Sequence, residues 1–127
     1  MLSSLVDLST IAALDEFLAT SAERAVLIYK HSMTCGTSAH AFEEVQDVMS
    51  TVSNLSVGFV RVQAARAVSN EIARRFGVRH ESPQALLVQG GVVVWRASHY
   101  GVTAAAIAAA LGTSRREAIS SPVSRKP

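Results

Sequence analysis

The chain has 127 residues, 49% hydrophobic and 17% charged, with a formal net charge of +2 at pH 7; that length suits one domain with a sizeable core. The charge is not a nucleic-acid footprint, because residues 1–112 carry eight Lys or Arg against nine Asp or Glu, and the excess comes from Arg115, Arg116, Arg125 and Lys126 against Glu117. One cysteine, Cys35, excludes an internal disulfide and a thiolate metal cluster, and no histidine pair has metal-ligand spacing, so no metal is expected.

In chain order, Leu5, Leu8, Ile11, Leu14 and Leu18 recur at three- or four-residue intervals with Ser9 or Thr10 in position to start them, and predict an amphipathic N-terminal helix. Asp7, Asp15 and Glu16 interrupt this stretch, so neither a secretion leader nor membrane attachment is expected. The longest apolar run, 104–111, is far short of the roughly 20 residues of a membrane span. Val26, Leu27, Ile28 and Tyr29 read as a strand buried on both faces. Phe42, Val45, Met49 and Val52 then recur at helical spacing, with Ser32 and Thr34 as candidate caps.

Residues 57–62 read as a second strand, and strand, helix, strand in this order makes the two strands parallel. Val68, Ile72 and Phe76 predict a short helix ended by Gly77, with Arg74 and Arg75 on its solvated side. Pro83 cannot donate to a ladder and must open the next strand, 84–88, or lie at its edge. Gly90 and Gly91 turn the chain into an antiparallel partner at 92–95. Thr103 caps a last helix, 104–111, closed by Gly112. The Ser-, Arg- and Pro-rich remainder predicts a flexible basic tail. The domain is therefore 1–112 and the tail 113–127. Its class is α/β, a four-stranded mixed sheet flanked by helices in the order β-α-β-α-β-β-α, with the extra N-terminal helix in front.

Cys35 falls where the first of these strands runs into its helix. Unpartnered N–H groups and the positive end of the helix dipole favour a thiolate there over a thiol. Lys30 and His31, just upstream, are placed to add positive charge. A thiolate attacks a disulfide sulfur in line and passes through a mixed disulfide, so one cysteine suffices to take a small thiol off another protein, but an outside thiol must then release it. Ser38, one turn on, cannot be oxidised; its hydroxyl is placed to donate to the thiolate, as are Thr34 and the amides of Gly36 and Thr37. Trp95 reads as core packing, and His40, five residues past Cys35, faces elsewhere around the helix.

The order of elements, the cysteine at the first βα junction, and Phe76-Gly77-Val78-Arg79 followed by Ser82-Pro83-Gln84-Ala85-Leu86-Leu87-Val88 before Gly90-Gly91 resemble the thioredoxin fold. Where thioredoxins have Cys-Gly-Pro-Cys this chain reads Cys35-Gly36-Thr37-Ser38. Lys30-His31-Ser32, Thr34-Cys35 and Ser38 further resemble the monothiol bacilliredoxins, the YtxJ-type family, over nearly all of residues 1–112. That resemblance implies a cis Pro83 facing Cys35, and a groove in which Ser82, Pro83, His31 and Lys30 meet the substrate.

The function expected is a cytoplasmic monothiol oxidoreductase acting through Cys35. It removes a low-molecular-weight thiol, bacillithiol if the resemblance holds, from mixed disulfides on S-thiolated client proteins. The small thiol is a co-substrate; no tightly bound cofactor, nucleic acid or membrane partner is expected, and the oligomeric state is not determined by the sequence. A second reading stays open: a non-catalytic protein-binding module, or redox sensor, of the same fold.

Overall fold

The computed structural model describes residues 2–124, with side chains described through Arg115. Its order is β1 (Ser4–Asp7), α1 (Ile11–Ala19), β2 (Val26–His31), α2 (Gly36–Thr51), β3 (Ser56–Arg61), α3 (Arg66–Phe76), β4 (Gln84–Gln89), β5 (Val92–Ser98) and α4 (Ala104–Ser124). Short 3-10 turns at Thr20–Ala22 and His99–Gly101 complete it. The strands form one mixed sheet in the order β1-β3-β2-β4-β5. β2 runs parallel to β3, with Leu27 opposite Val57, and antiparallel to β4, with Ile28 opposite Leu86.

Strand alternation divides the core into two layers. Leu27, Tyr29, Val57, Phe59, Ala85 and Leu87 pack against Val45 and Val48 of α2 and Ile107 and Leu111 of α4. Val26, Ile28, Leu86 and Val88 point the other way, onto Leu14 and Phe17 of α1 and Val68 and Ile72 of α3. Each such side chain removed from water is worth about 1.5–3 kcal/mol. The central strands are buried on both faces for that reason, which explains their unbroken apolar runs. Gly58 permits the α1 layer to close: a Cβ there would lie 2.6 Å from Leu8 and 2.8 Å from the Phe17 ring. Gly90 and Gly91, at φ 61° and 76°, form the two-residue turn between β4 and β5.

The sequence-based expectations hold for the parallel β2-α2-β3 unit, for α3 and its left-handed Gly77 stop, for the β4-β5 hairpin and for the Thr103 cap, which accepts from the Ala106 N–H at 3.1 Å. Trp95 packs on the core from β5.

Two expectations are corrected. The sheet has five strands, not four, because the front half of the expected N-terminal helix is β1, paired in parallel with β3. Leu5 and Val6 are 48% and 39% exposed there, and the helix begins only at Ile11, capped by Thr10. The pairing is non-local: Ser3 Oγ donates to the Val52 carbonyl at 2.8 Å and accepts from the Leu55 N–H. An edge strand with no buried face leaves no period in the sequence.

The last helix, expected to close at Gly112, runs on to Ser124 instead of giving way to a tail at Thr113. A glycine inside a helix costs only about 1 kcal/mol, and packing offsets it. Leu111 and Ser114 are both buried, and the Ser114 hydroxyl donates to Gln89 Oε1. Residues 125–127 of the expected tail lie outside the described residues. Among the described residues no helix is long and apolar enough to cross a membrane.

Candidate functional site

β2 ends at His31 and delivers the chain through Ser32, Met33 and Thr34 to Cys35, which is the N-cap of α2. Its backbone is extended (φ −110°, ψ 123°) and its side chain is half-buried. The thiol therefore sits ahead of the first turn, at the positive end of the helix, where the Ser38 N–H also donates to the Cys35 carbonyl at 3.1 Å. The Ser38 and then the Thr37 backbone N–H groups hold it below a free thiol's range; their hydroxyls add to this, while partial burial works against it. This is the anion-stabilising arrangement expected of the junction.

Ser38 is completely buried, and its Oγ also accepts from the Ser32 N–H at 3.1 Å. That bond ties the loop before Cys35 to the helix after it. Ser32 and Thr34 are not the caps: the Thr34 hydroxyl lies 3.4 Å from both Ser32 Oγ and Gln63 Nε2, and Thr34, expected to help hold the anion, is not among the groups that do so. Gly36 opens the helix with empty space where a Cβ would stand.

Gln63, in the loop after β3, carried no signal in the sequence, yet it braces the active loop. Its Oε1 accepts from the Met33 N–H at 3.1 Å and its Nε2 donates to Ser32 Oγ at 2.9 Å. Pro83 is buried and follows a cis peptide bond from Ser82, as the resemblance implied. Its carbonyl accepts from the His99 N–H at 2.9 Å, anchoring the 3-10 turn.

Lys30 and His31, adjacent in β2, necessarily point to opposite faces. His31 lies on the α2 side with Tyr29, Phe42 and Phe59, ring centroids 5.2–5.7 Å away. Burial and then the Arg61 charge lower its pKa. Lys30 is fully buried on the α3 side, donating to the Ser69 carbonyl at 3.0 Å and lying 3.2 Å from His80 Nδ1. Burial pushes its ammonium down to about 8. Neither side chain is among the groups that hold Cys35 down, so the charge supply expected of them is corrected: amides and hydroxyls do that work. Complete burial also takes Lys30 off the surface a docking protein meets.

Tyr29, which the sequence marked only as a strand residue, is buried and donates its hydroxyl to the Ser38 carbonyl at 2.8 Å. Burial and then the Cys35 charge raise its pKa. His40 is exposed on α2. No group of His, Cys, Asp or Glu among the described residues is arranged to hold a metal ion.

Comparison with known proteins agrees with this geometry. The model of the family described as monothiol bacilliredoxin matches residues 6–107. A solved structure described as an oxidoreductase with a thioredoxin fold is 29% identical, covers 84% of this chain and 92% of its own, and superposes with a TM-score of 0.75. Fasciola hepatica thioredoxin is 16% identical with a TM-score of 0.70, over 86% of this chain and 98% of its own. Reduced Schistosoma mansoni thioredoxin is also 16% identical, with a TM-score of 0.69, over 87% and 98%. At that identity the two thioredoxins speak to the fold alone.

Proposed function

The chain belongs to the monothiol bacilliredoxin family, and from that premise we propose that it is a thiol-disulfide oxidoreductase that strips a low-molecular-weight thiol from S-thiolated proteins through Cys35. The observation that carries the reading is the half-buried Cys35 at the start of α2, its thiolate favoured by the Ser38 and Thr37 amides. Ser38 fills the place of a second thiol, so the cycle stays monothiol.

The exchange balances without an added oxidant or metal. The Cys35 thiolate attacks the small-thiol sulfur of the mixed disulfide; a new S–S bond forms, the old one breaks, and the client leaves as a thiolate that takes a proton from water. A second small thiolate then attacks the same sulfur, leaving as the symmetrical small-molecule disulfide and returning Cys35. The small thiol, bacillithiol by family, is a co-substrate, and the reaction belongs to a reducing compartment such as the cytoplasm. Ser82 and Pro83 form the ledge on which the client backbone docks, and His31 borders it.

The test is the pH dependence of Cys35 alkylation, with Cys35→Ser as control, and intact mass after exposure to oxidised bacillithiol or glutathione. The expected result is a thiolate titrating well below about 8.5 and a single adduct that a second thiol removes. Slow, unperturbed labelling with no adduct would overturn the enzymatic reading and leave a binding module.

A further inference from the structure

Gln84 opens β4 directly after the cis Ser82–Pro83 bond, and its side chain is buried. Its Nε2 donates to the Arg79 carbonyl at 2.9 Å, which fixes the orientation of the amide and leaves Oε1 facing elsewhere. That oxygen is the single buried side-chain polar atom without a hydrogen-bond partner among the described residues. Buried acceptors are ordinarily satisfied, so an orphan of this kind points to a donor that arrives from outside.

Gln84 lines a cavity of about 320 Å³ together with Arg79 and Glu81 of the loop before β4 and Arg96, Ala97 and Ser98 of β5. Arg79 and Arg96 are exposed, and neither joins an ion pair among the described residues. Glu81 is the only carboxylate on the wall, and it is already engaged by the Ser98 side chain and by His99 at 3.2 Å. The cavity thus joins an acceptor that has no donor to two guanidiniums that hold no carboxylate. Lys30 lies opposite Gln84 between β2 and β4, and Gln84 lies opposite Ser98 between β4 and β5. This register puts the cavity at the end of the sheet where β2 sends the chain on towards Cys35, two strand spacings, about 10 Å, across from β2.

We propose that this cavity docks an acidic residue of the client protein, whose main-chain N–H donates to Gln84 Oε1 while its carboxylate pairs with Arg79 and Arg96. The inference rests on the exchange reading above and adds to it the kind of client: one with Asp or Glu near its modified cysteine. A free inorganic anion answers the two guanidiniums and leaves the Gln84 oxygen unpaired; a neutral peptide does the reverse. An acidic residue carries donor and anion a few bonds apart, and a guanidinium fork matches a carboxylate in shape as well as in charge. Because the exchange itself involves only three sulfur atoms, choice among clients falls to contacts of this kind.

Two arms separate docking from exchange. The capped peptide Asp-Gly-Ser-Gly-Asp, in which serine stands for the client cysteine and no disulfide can form, is titrated into the full reduced chain. The Gln84 side-chain amide and the Ser98 backbone amide are followed by NMR. The expected result is a saturable shift at both, with the Asn-Gly-Ser-Gly-Asn counterpart binding about three- to tenfold more weakly, as loss of a charge-assisted contact does. Arg96→Glu should reverse the order and prefer Lys-Gly-Ser-Gly-Lys, an outcome that damage to the fold cannot produce. Equal affinities for the acidic and amide peptides, no shift at Gln84 and Ser98, or the same shifts from sodium acetate at the peptide's concentration would overturn the proposal. In the second arm hydroxyethyl disulfide, which has neither a main chain nor a carboxylate, reports Cys35 exchange by intact mass. An adduct without peptide selectivity refutes the docking cavity and keeps the oxidoreductase; acidic selectivity with no adduct supports the cavity and refutes the oxidoreductase.

Discussion

The Tyr29 hydroxyl donates to the Ser38 carbonyl at 2.8 Å, pinning the first turn of α2 to the strand beneath it. A phenol has one proton, so the contact between the same oxygen and His31 Nδ1, at 3.1 Å, must be filled from the histidine. His31 is thereby assigned the Nδ1–H tautomer, and a chain runs from its imidazole through Tyr29 to the turn that holds Cys35. Tyr29→Phe keeps the stacking on Phe42 and Phe59 and loses both bonds. Urea denaturation should show a loss of about 1–2 kcal/mol. The Cys35 alkylation midpoint should hardly move, since the thiol's own donors remain.

Ser38→Ala removes a thiol donor and strands the Ser32 N–H in a buried place. Stability should fall by about 1–3 kcal/mol, and the Cys35 alkylation midpoint should rise. A variant whose midpoint stays put would show that the hydroxyl has no part in holding the anion.

The depressed Cys35 thiol links stability to pH. Between its folded and unfolded pKa values the unfolded chain binds more protons, so stability rises with pH across that window and is lost as pH falls through the folded value. Thermal unfolding of the reduced protein should therefore gain on that of Cys35→Ser as pH is raised from acid towards about 8.5. Parallel pH curves for the two proteins would contradict the shift.

Lys30 is a base whose folded pKa, about 8, lies below its unfolded value. From pH 8 upwards the unfolded chain again binds the extra proton, so stability increases with pH until the unfolded lysine titrates near 10.4. After solvent screening the gain should be on the order of 1–2 kcal/mol. In Lys30→Met that rise should vanish, with stability at neutral pH equal to the parent's or greater, because an unpaired buried ammonium is replaced by an apolar chain of similar volume. Urea midpoints at pH 7 and pH 9.5 measure both.

Gln63→Ala deletes the brace on the loop before Cys35 and touches no core residue. The expected outcome is a several-fold slower formation of the Cys35 adduct with stability changed by under about 1 kcal/mol, since surface substitutions are mild. Stopped-flow adduct formation against urea midpoints separates the two quantities.

Much of this protein was legible in its sequence because the relevant signals are local. The apolar run before Ser32 and the helical period after Cys35 define the strand-to-helix junction within a few turns of chain. Chemistry follows from position, since a cysteine at a helix start meets the N–H groups and the positive dipole end of that helix. Gly77 and the Gly90-Gly91 pair mark a helix stop and a hairpin through backbone conformations that need no tertiary help. The tertiary structure alone decided the rest. β1 exists because residues about fifty positions away offer it a ladder, and α4 passes Gly112 because Leu111 and Ser114 find a packed surface. Strand alternation could have told that Lys30 and His31 face apart, but not that one would meet Ser69 and His80 and the other Tyr29, nor that Gln63 would reach Ser32. Period, caps and turns are written in neighbouring residues, whereas the partners of a buried polar group are set only when distant segments close on one another.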